Sequence, residues 1–80
     1  MKKNIAILGS TGSIGKSLLK IVSKNKKKFN IILLTANKNY KLLFKQAQIF
    51  NVENLIITDK KYYNIALKKK SKKIKIYNNF

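Results

Sequence analysis

The chain of 80 residues contains no cysteine, histidine, proline or arginine, and only two acids, Glu53 and Asp59. Without cysteine there is no disulfide framework, no zinc–thiolate site and no cysteine nucleophile. Without histidine, the usual general base and the commonest metal ligand are missing. Two acids and no histidine leave almost no room for a self-contained hydrolase or metalloenzyme. With no proline and only three glycines, collagen-like and proline-rich linker readings fail. Long apolar runs are also lacking. Nothing approaches the roughly 20 apolar residues of a membrane span, and Ile5–Leu8, after Met1-Lys2-Lys3, is too short for a signal peptide. The expected compartment is therefore the cytoplasm, with no membrane partner. Eighty residues allow one small domain, and a free-standing fold of this length buries too little surface to be more than marginal. Disorder is excluded by a hydrophobic fraction of 45%.

What the chain has in excess is lysine. Nineteen lysines give a net charge of +17, which invites a nucleic-acid reading. Yet Lys, Asn, Ile, Phe and Tyr make up 49 of the 80 residues, and all five have A- and T-rich codons. Genome base composition explains the lysines as well as function does. Nucleic-acid faces also favour arginine for bidentate and stacking contacts, and none is present. A nucleic-acid partner is not expected, and the Lys68–Lys73 run reads as a solvated helix end that complements the helix dipole.

The apolar residues alternate between two periods. Ile5-Ala6-Ile7-Leu8 is a continuous run, as in a strand buried on both faces. Ile14, Leu18, Ile21 and Val22 then fall on one face of a helix, with Lys16, Lys20 and Lys24 on its solvent side. A second strand covers Ile31–Leu34. Asn39 is placed to cap a second helix carrying Tyr40, Leu43, Phe44, Ala47 and Phe50. Leu55–Ile57 is a third strand, and Asp59 caps a third helix with Tyr63, Ala66 and Leu67. Ile74 and Ile76, alternating with Lys73, Lys75 and Tyr77, form a short strand with one wet face. The order βαβαβαβ with short loops means parallel βαβ units, and the chain stops directly after a strand, as if cut. Burying Lys73 and Lys75 in the sheet centre would cost several kcal/mol without partners. The fourth strand is thus expected at the edge beside the third, in the order 4-3-2-1.

Gly9-x-x-Gly12-x-x-Gly15 sits between the first strand and the first helix, the context of a dinucleotide-binding fingerprint. Gly9 turns the chain, Gly12 lets a pyrophosphate approach the backbone, and Gly15 lets the helix pack closely. The N–H groups around Gly12 to Ile14 face the anion, and the hydroxyls of Ser10, Thr11 and Ser13 are available to assist. Gly15-Lys16-Ser17 is not a P-loop, because five residues separate Gly9 from Gly15 where that motif has four. An NAD site has an acid at the end of its second strand to grip the ribose 2′-hydroxyl. Here Ala36-Asn37-Lys38-Asn39 follows Leu34-Thr35, and a cation with two amides suits a 2′-phosphate, so NADP(H) is favoured over NAD(H).

The string Ile5-Ala6-Ile7-Leu8-Gly9-Ser10-Thr11-Gly12-Ser13-Ile14-Gly15 resembles the N-terminus of the 1-deoxy-D-xylulose 5-phosphate reductoisomerase family. The likeness continues through Ala36-Asn37-Lys38-Asn39, Gln46-Ala47-Gln48-Ile49-Phe50 and Ile56-Ile57-Thr58-Asp59, and covers residues 1–80. It implies the opening part of a Rossmann-like NADPH-binding domain in a longer enzyme. That enzyme converts 1-deoxy-D-xylulose 5-phosphate to 2-C-methyl-D-erythritol 4-phosphate in the non-mevalonate isoprenoid pathway, by rearrangement and hydride reduction. The resemblance assigns Thr11, Gly12, Ser13 and Ile14 to the NADPH phosphates and Asn37, Lys38 and Asn39 to the adenosine 2′-phosphate end. It further implies a divalent metal (magnesium or manganese), a sugar-phosphate substrate and a homodimer in the full-length enzyme. The metal ligands and substrate residues lie beyond position 80, so this chain alone carries no catalytic residue. Asn37 stands where the family usually has glycine; if that position needs a positive φ, asparagine is the least costly replacement. The alternatives are the N-terminal part of another NADP-dependent reductase or a small basic nucleic-acid-binding module.

Overall fold

The computed structural model describes residues 2–80. Its elements run β1 (Lys3–Ile7), α1 (Ser13–Ser23), β2 (Phe29–Ala36), α2 (Tyr40–Phe50), β3 (Asn54–Ile57), α3 (Lys60–Lys69) and β4 (Lys75–Tyr77). All four strands are parallel, in the spatial order β1-β2-β3-β4. The short lysine-flanked strand lies at the edge, as its alternation predicts: Leu55 pairs with Ile76 and Ile56 with Tyr77.

Each strand is followed in sequence by its neighbour in space. Parallel crossovers are right-handed, so a monotonic order stacks all three helices on one face of the sheet. Burial follows that geometry. Ile7, Leu34, Ala36, Leu55, Ile57 and Ile76 meet Leu19, Val22, Tyr40, Leu43, Ala47 and Ala66 in one core. β2 carries one extra residue against β1: Ile5 pairs with Ile31, but Ala6 pairs with Leu33. This bulge inserts Ile32 and lets both Ile31 and Leu34 reach the core.

The sheet's other face departs from the sequence expectation. Ile5–Leu8 reads as buried on both sides, yet only Ile7 is fully buried, while Ala6 and Leu8 are exposed, as is Ile32 on β2. A continuous apolar run encodes burial on two faces, and within these residues only one face has helices over it.

The second departure is the rotation of α1. Of the four residues expected on the core face, Ile14, Leu18 and Ile21 are 77%, 45% and 55% exposed, and only Val22 is buried, in a face it shares with Gly15 and Leu19. The two triplets share the same spacing, one residue apart, so the helix is turned by about 100° from the expected face. The cause is Gly15, whose missing side chain sets which side of the helix lies against the β1–α1 loop. Lys16, Lys20 and Lys24 are exposed as expected.

The other two helices follow the sequence reading. Asn39 Oδ1 accepts the Leu42 N–H and Asp59 Oδ1 accepts the Tyr62 N–H, both at 3.2 Å. Tyr40, Leu43 and Ala47 of the α2 stripe are buried, with Phe44 and Phe50 packed against them. On α3 Ala66 is buried, Tyr63 is half-buried and Leu67 lies at the exposed margin. α2 ends at Asn51, whose φ of 56° is a left-handed C-cap.

Two apolar surfaces thus face solvent, one on the sheet and one on α1, and β1 is an unprotected edge strand. Contiguous apolar surface and an open edge drive association. The isolated chain of 80 residues is expected to bind an apolar dye and to melt broadly and with concentration dependence. A sharp, reversible, concentration-independent melt of a monomer, followed by circular dichroism, would contradict this.

Candidate functional site

Three loops leave the carboxyl edge of the sheet: Leu8–Gly12 after β1, Asn37–Asn39 after β2, and Thr58–Asp59 after β3. Ligands of open parallel sheets bind outside this edge.

The three glycines of the first loop serve three different needs. Gly9 has φ +64°, a conformation that L side chains rarely adopt. A Cβ at Gly15 would collide with the Gly9 carbonyl oxygen and come within 2.5 Å of Ser10 Cα, so only glycine allows α1 to lie on the loop. Gly12 has neither constraint. Its φ is −80°, and an added Cβ would meet nothing nearer than the Gly9 oxygen at 3.4 Å. The fold tolerates a side chain at Gly12, whereas a molecule lying against the loop would not.

Helix α1 starts at this loop without a side-chain cap, unlike α2 and α3. Gly12 N–H is engaged by the Gly9 carbonyl at 3.0 Å, and the first backward bond runs from Lys16 N–H to the Gly12 carbonyl at 2.9 Å. The donors left for an anion are therefore the N–H groups of Ser13, Ile14 and Gly15, one residue later than the sequence reading has them. No acid lies in the first turn, so nothing offsets the positive end of the helix dipole. Ser13 is exposed, Thr11 half-buried, and Ile14 stands in solvent beside the loop.

Ser10 is a correction. Its hydroxyl, expected to assist at an anion, is fully buried and points inward. Ser10 Oγ donates to Gln46 Oε1 at 2.7 Å and lies 3.4 Å from the Thr35 carbonyl oxygen. Gln46 Nε2 donates back to the Ser10 carbonyl at 2.9 Å. Ser10 N–H donates to the Thr35 carbonyl and Gly9 N–H to Thr35 Oγ1, both at 2.8 Å. Five contacts thus bind Gly9-Ser10 to β2 and α2, and no buried side-chain polar atom among the described residues lacks a partner. The sequence reading missed Gln46 and Thr35. The signal was present in Gln46, a polar residue three positions after Leu43 and next to Ala47, on the core face of α2.

The second loop presents Asn37, Lys38 and Asn39, all exposed. Asn37 is not among the residues with positive φ, so asparagine in place of glycine carries no backbone strain. Its Oδ1 accepts the Thr58 hydroxyl at 2.8 Å and its carbonyl accepts the Asp59 N–H at 3.0 Å. Asn39 Oδ1 is committed to capping α2, and Lys38 is the only one of the three whose side-chain polar group has no hydrogen bond among the described residues. Asp59, remote in sequence, is brought beside this loop by the β2–β3 register, with one carboxylate oxygen turned to the start of α3.

A separate cavity of about 420 Å³ opens at the amino edge of the sheet, lined by Phe44, Val52, Lys70 and Ile74 among others. Its lining includes no residue of the three loops at the carboxyl edge.

Comparison with known proteins identifies a family. The profile described as 1-deoxy-D-xylulose 5-phosphate reductoisomerase matches residues 5–79. The Pelagibacter ubique protein of that name is 57% identical over 79 residues, which are 98% of this chain and 20% of that protein. Its Porphyromonas gingivalis counterpart is 53% identical over 66 residues, 81% of this chain and 17% of that protein. Among solved structures, the Zymomonas mobilis reductoisomerase in complex with NADPH superposes with a TM-score of 0.86 at 31% identity. That match covers 95% of this chain and 20% of the other. The chain thus spans about a fifth of the length of the proteins it matches.

The glycines are separable by experiment in a hybrid in which these 80 residues replace the matching segment of the Pelagibacter ubique protein. Gly15→Ala forces backbone apart and is expected to cost about 1–3 kcal/mol or to prevent folding. Gly12→Ala should leave the denaturation midpoint nearly unchanged. Thermal unfolding of the two variants checks both, and a larger loss for Gly12→Ala would contradict the assignment of roles.

Proposed function

From its membership of the 1-deoxy-D-xylulose 5-phosphate reductoisomerase family, to which this chain belongs, and from its open glycine loop, we propose that it is the N-terminal NADPH-binding segment of such an enzyme. The observation that carries the reading is the state of Gly12. The fold gives no reason for glycine there, and a close-lying pyrophosphate does. The residues fit the cofactor in two further respects. The start of α1 offers uncapped N–H donors, and Lys38 extends an uncommitted cation from the loop where a 2′-phosphate would lie.

In this reading Thr11, Gly12, Ser13 and Ile14 hold the phosphates. The backbone N–H groups of Ser13 and Ile14 donate to the anion, and Thr11 and Ser13 add hydroxyl donors. Ile14 supplies an apolar surface beside the loop. Asn37, Lys38 and Asn39 receive the adenosine end. Lys38 makes the charge-assisted contact, while Asn37 and Asn39, engaged with Thr58 and with the α2 cap, hold the loop in place and retain their Nδ2 donors. Bound there, NADPH supplies the hydride for reduction of a rearranged sugar phosphate. The residues of this chain bind and orient it.

The rest of the activity belongs to residues outside these 80. The reading includes a divalent metal, magnesium or manganese, a 1-deoxy-D-xylulose 5-phosphate substrate, a homodimeric assembly and a cytoplasmic location. Among the described residues, no three His, Cys, Asp or Glu side chains come together, and no helix is long and apolar enough to cross a membrane.

Two substitutions in the hybrid test the assignment. Gly12→Val should raise the NADPH dissociation constant severely while the protein stays folded; unchanged binding by calorimetry would overturn the reading. Lys38→Glu should weaken NADPH far more than NADH. A charge-assisted contact contributes roughly 1.5–3 kcal/mol, so the preference should fall about ten-fold or more. Equal losses for the two cofactors would reduce Lys38 to part of a general positive field.

A further inference from the structure

We infer that Gln46 is a positioning residue for the nucleotide site: from the core face of α2 it sets the backbone of Gly9-Ser10, and through it the phosphate-binding loop. The inference rests on the NADPH reading above. Gln46 is 6% exposed, at the floor of an open groove between α1 and α2 that it lines with Leu19, Lys20 and Phe50. Both ends of its amide are nevertheless committed to one residue of the loop. Oε1 accepts from Ser10 Oγ at 2.7 Å and Nε2 donates to the Ser10 carbonyl at 2.9 Å.

A paired contact of this kind fixes orientation as well as distance. A single bond would let the Ser10 peptide rotate; two bonds to opposite ends of a planar amide do not. The Ser10 carbonyl belongs to the peptide that leads into Thr11, and Gly12 and Ser13 follow. A shift there moves the donors at the start of α1. Thr35 holds the same two residues from β2, through Gly9 N–H and Ser10 N–H. β2 and α2 flank the second loop, Asn37–Asn39. The clamp therefore ties the phosphate loop to the two elements that carry the adenosine loop, and keeps the two parts of the site in one frame. A binding constellation held by buried second contacts loses affinity when those contacts go, although they never touch the ligand.

A core contact alone predicts something different. Loss of Gln46 would then lower stability and leave cofactor binding intact in the folded protein. The test is Gln46→Met in the hybrid, a substitution of similar volume that removes both hydrogen bonds. Leu43→Ala serves as the control: Leu43 is fully buried on the same helix, and its one bond to a site loop, from its N–H to the Asn39 carbonyl, is a backbone bond that the substitution keeps. The expected result is a rise in the KM for NADPH of roughly ten-fold or more, by the same factor for NADH, with kcat and the sugar-phosphate KM little changed. Leu43→Ala should lower the melting temperature without changing either cofactor's KM. Ser10→Ala, which deletes one of the two bonds, should give a smaller loss in the same direction and carries the test if Gln46→Met does not fold.

An unaltered NADPH KM in a folded Gln46→Met or Ser10→Ala protein would overturn the inference, as would a loss confined to NADPH. If the unsubstituted hybrid itself failed to bind NADPH, the functional reading would fall instead. The two failures are therefore distinguishable.

Discussion

The approach of α1 to the β1–α1 loop at Gly15 is the constraint on which the rest depends. Because that helix lies where a single Cβ would strike the Gly9 carbonyl and Ser10 backbone, its rotation is fixed. Leu19 and Val22 follow Gly15 into the core, and the helix start is aimed at the loop it leaves. The loop in turn can stay close only because Gly9 takes a left-handed turn and Ser10 is drawn inward by Thr35 and Gln46. The uncapped donors of Ser13 to Gly15 are the consequence. The packing of α1 and the exposure of its uncapped donors thus come from one set of backbone contacts.

The division of labour at the loop separates folding from binding. Gly9 and Gly15 are required by the chain's own geometry, whereas the fold leaves room for a side chain at Gly12, and in the proposed reading it is the cofactor that does not. Lys38 shows the same separation on the second loop. Its neighbours Asn37 and Asn39 are spent on Thr58 and on the cap of α2, and the lysine is left free. The two apolar surfaces that face solvent, around Leu8 and Ile32 on the sheet and around Ile14, Leu18 and Ile21 on α1, carry the same kind of information. The strand pattern of β1 is written for two covered faces, and these residues by themselves cover one.

Much of this was legible in the sequence, for reasons that particular residues make clear. The strand order followed from Lys73 and Lys75, because a central strand does not accept unpaired charge. The caps at Asn39 and Asp59 followed from short polar side chains preceding apolar stripes. The glycine spacing located the loop. What could not be read was the rotation of α1. An apolar count favours Ile14, Leu18 and Ile21, and close backbone approach at Gly15 overrules it. Nor could the inward turn of Ser10 be read, since its partner Gln46 lies 36 residues away and belongs to another element. A serine in a glycine loop reads as a ligand contact until the buried amide opposite it is seen. Asp59 is likewise distant from Asn37 in sequence, and the parallel register places the two side by side.

The central claim is that the carboxyl edge of this sheet, and not the cavity at its amino edge, receives a phosphorylated dinucleotide. Hydrogen–deuterium exchange of the hybrid with NADPH and with NADH tests it most directly. The account predicts that both cofactors slow exchange across Gly9–Leu18, and that NADPH alone adds strong protection at Ala36–Asn39. Protection confined to Asn51–Val52 and Lys70–Ile74, the walls of the other cavity, or identical protection at Ala36–Asn39 by both cofactors, would contradict it.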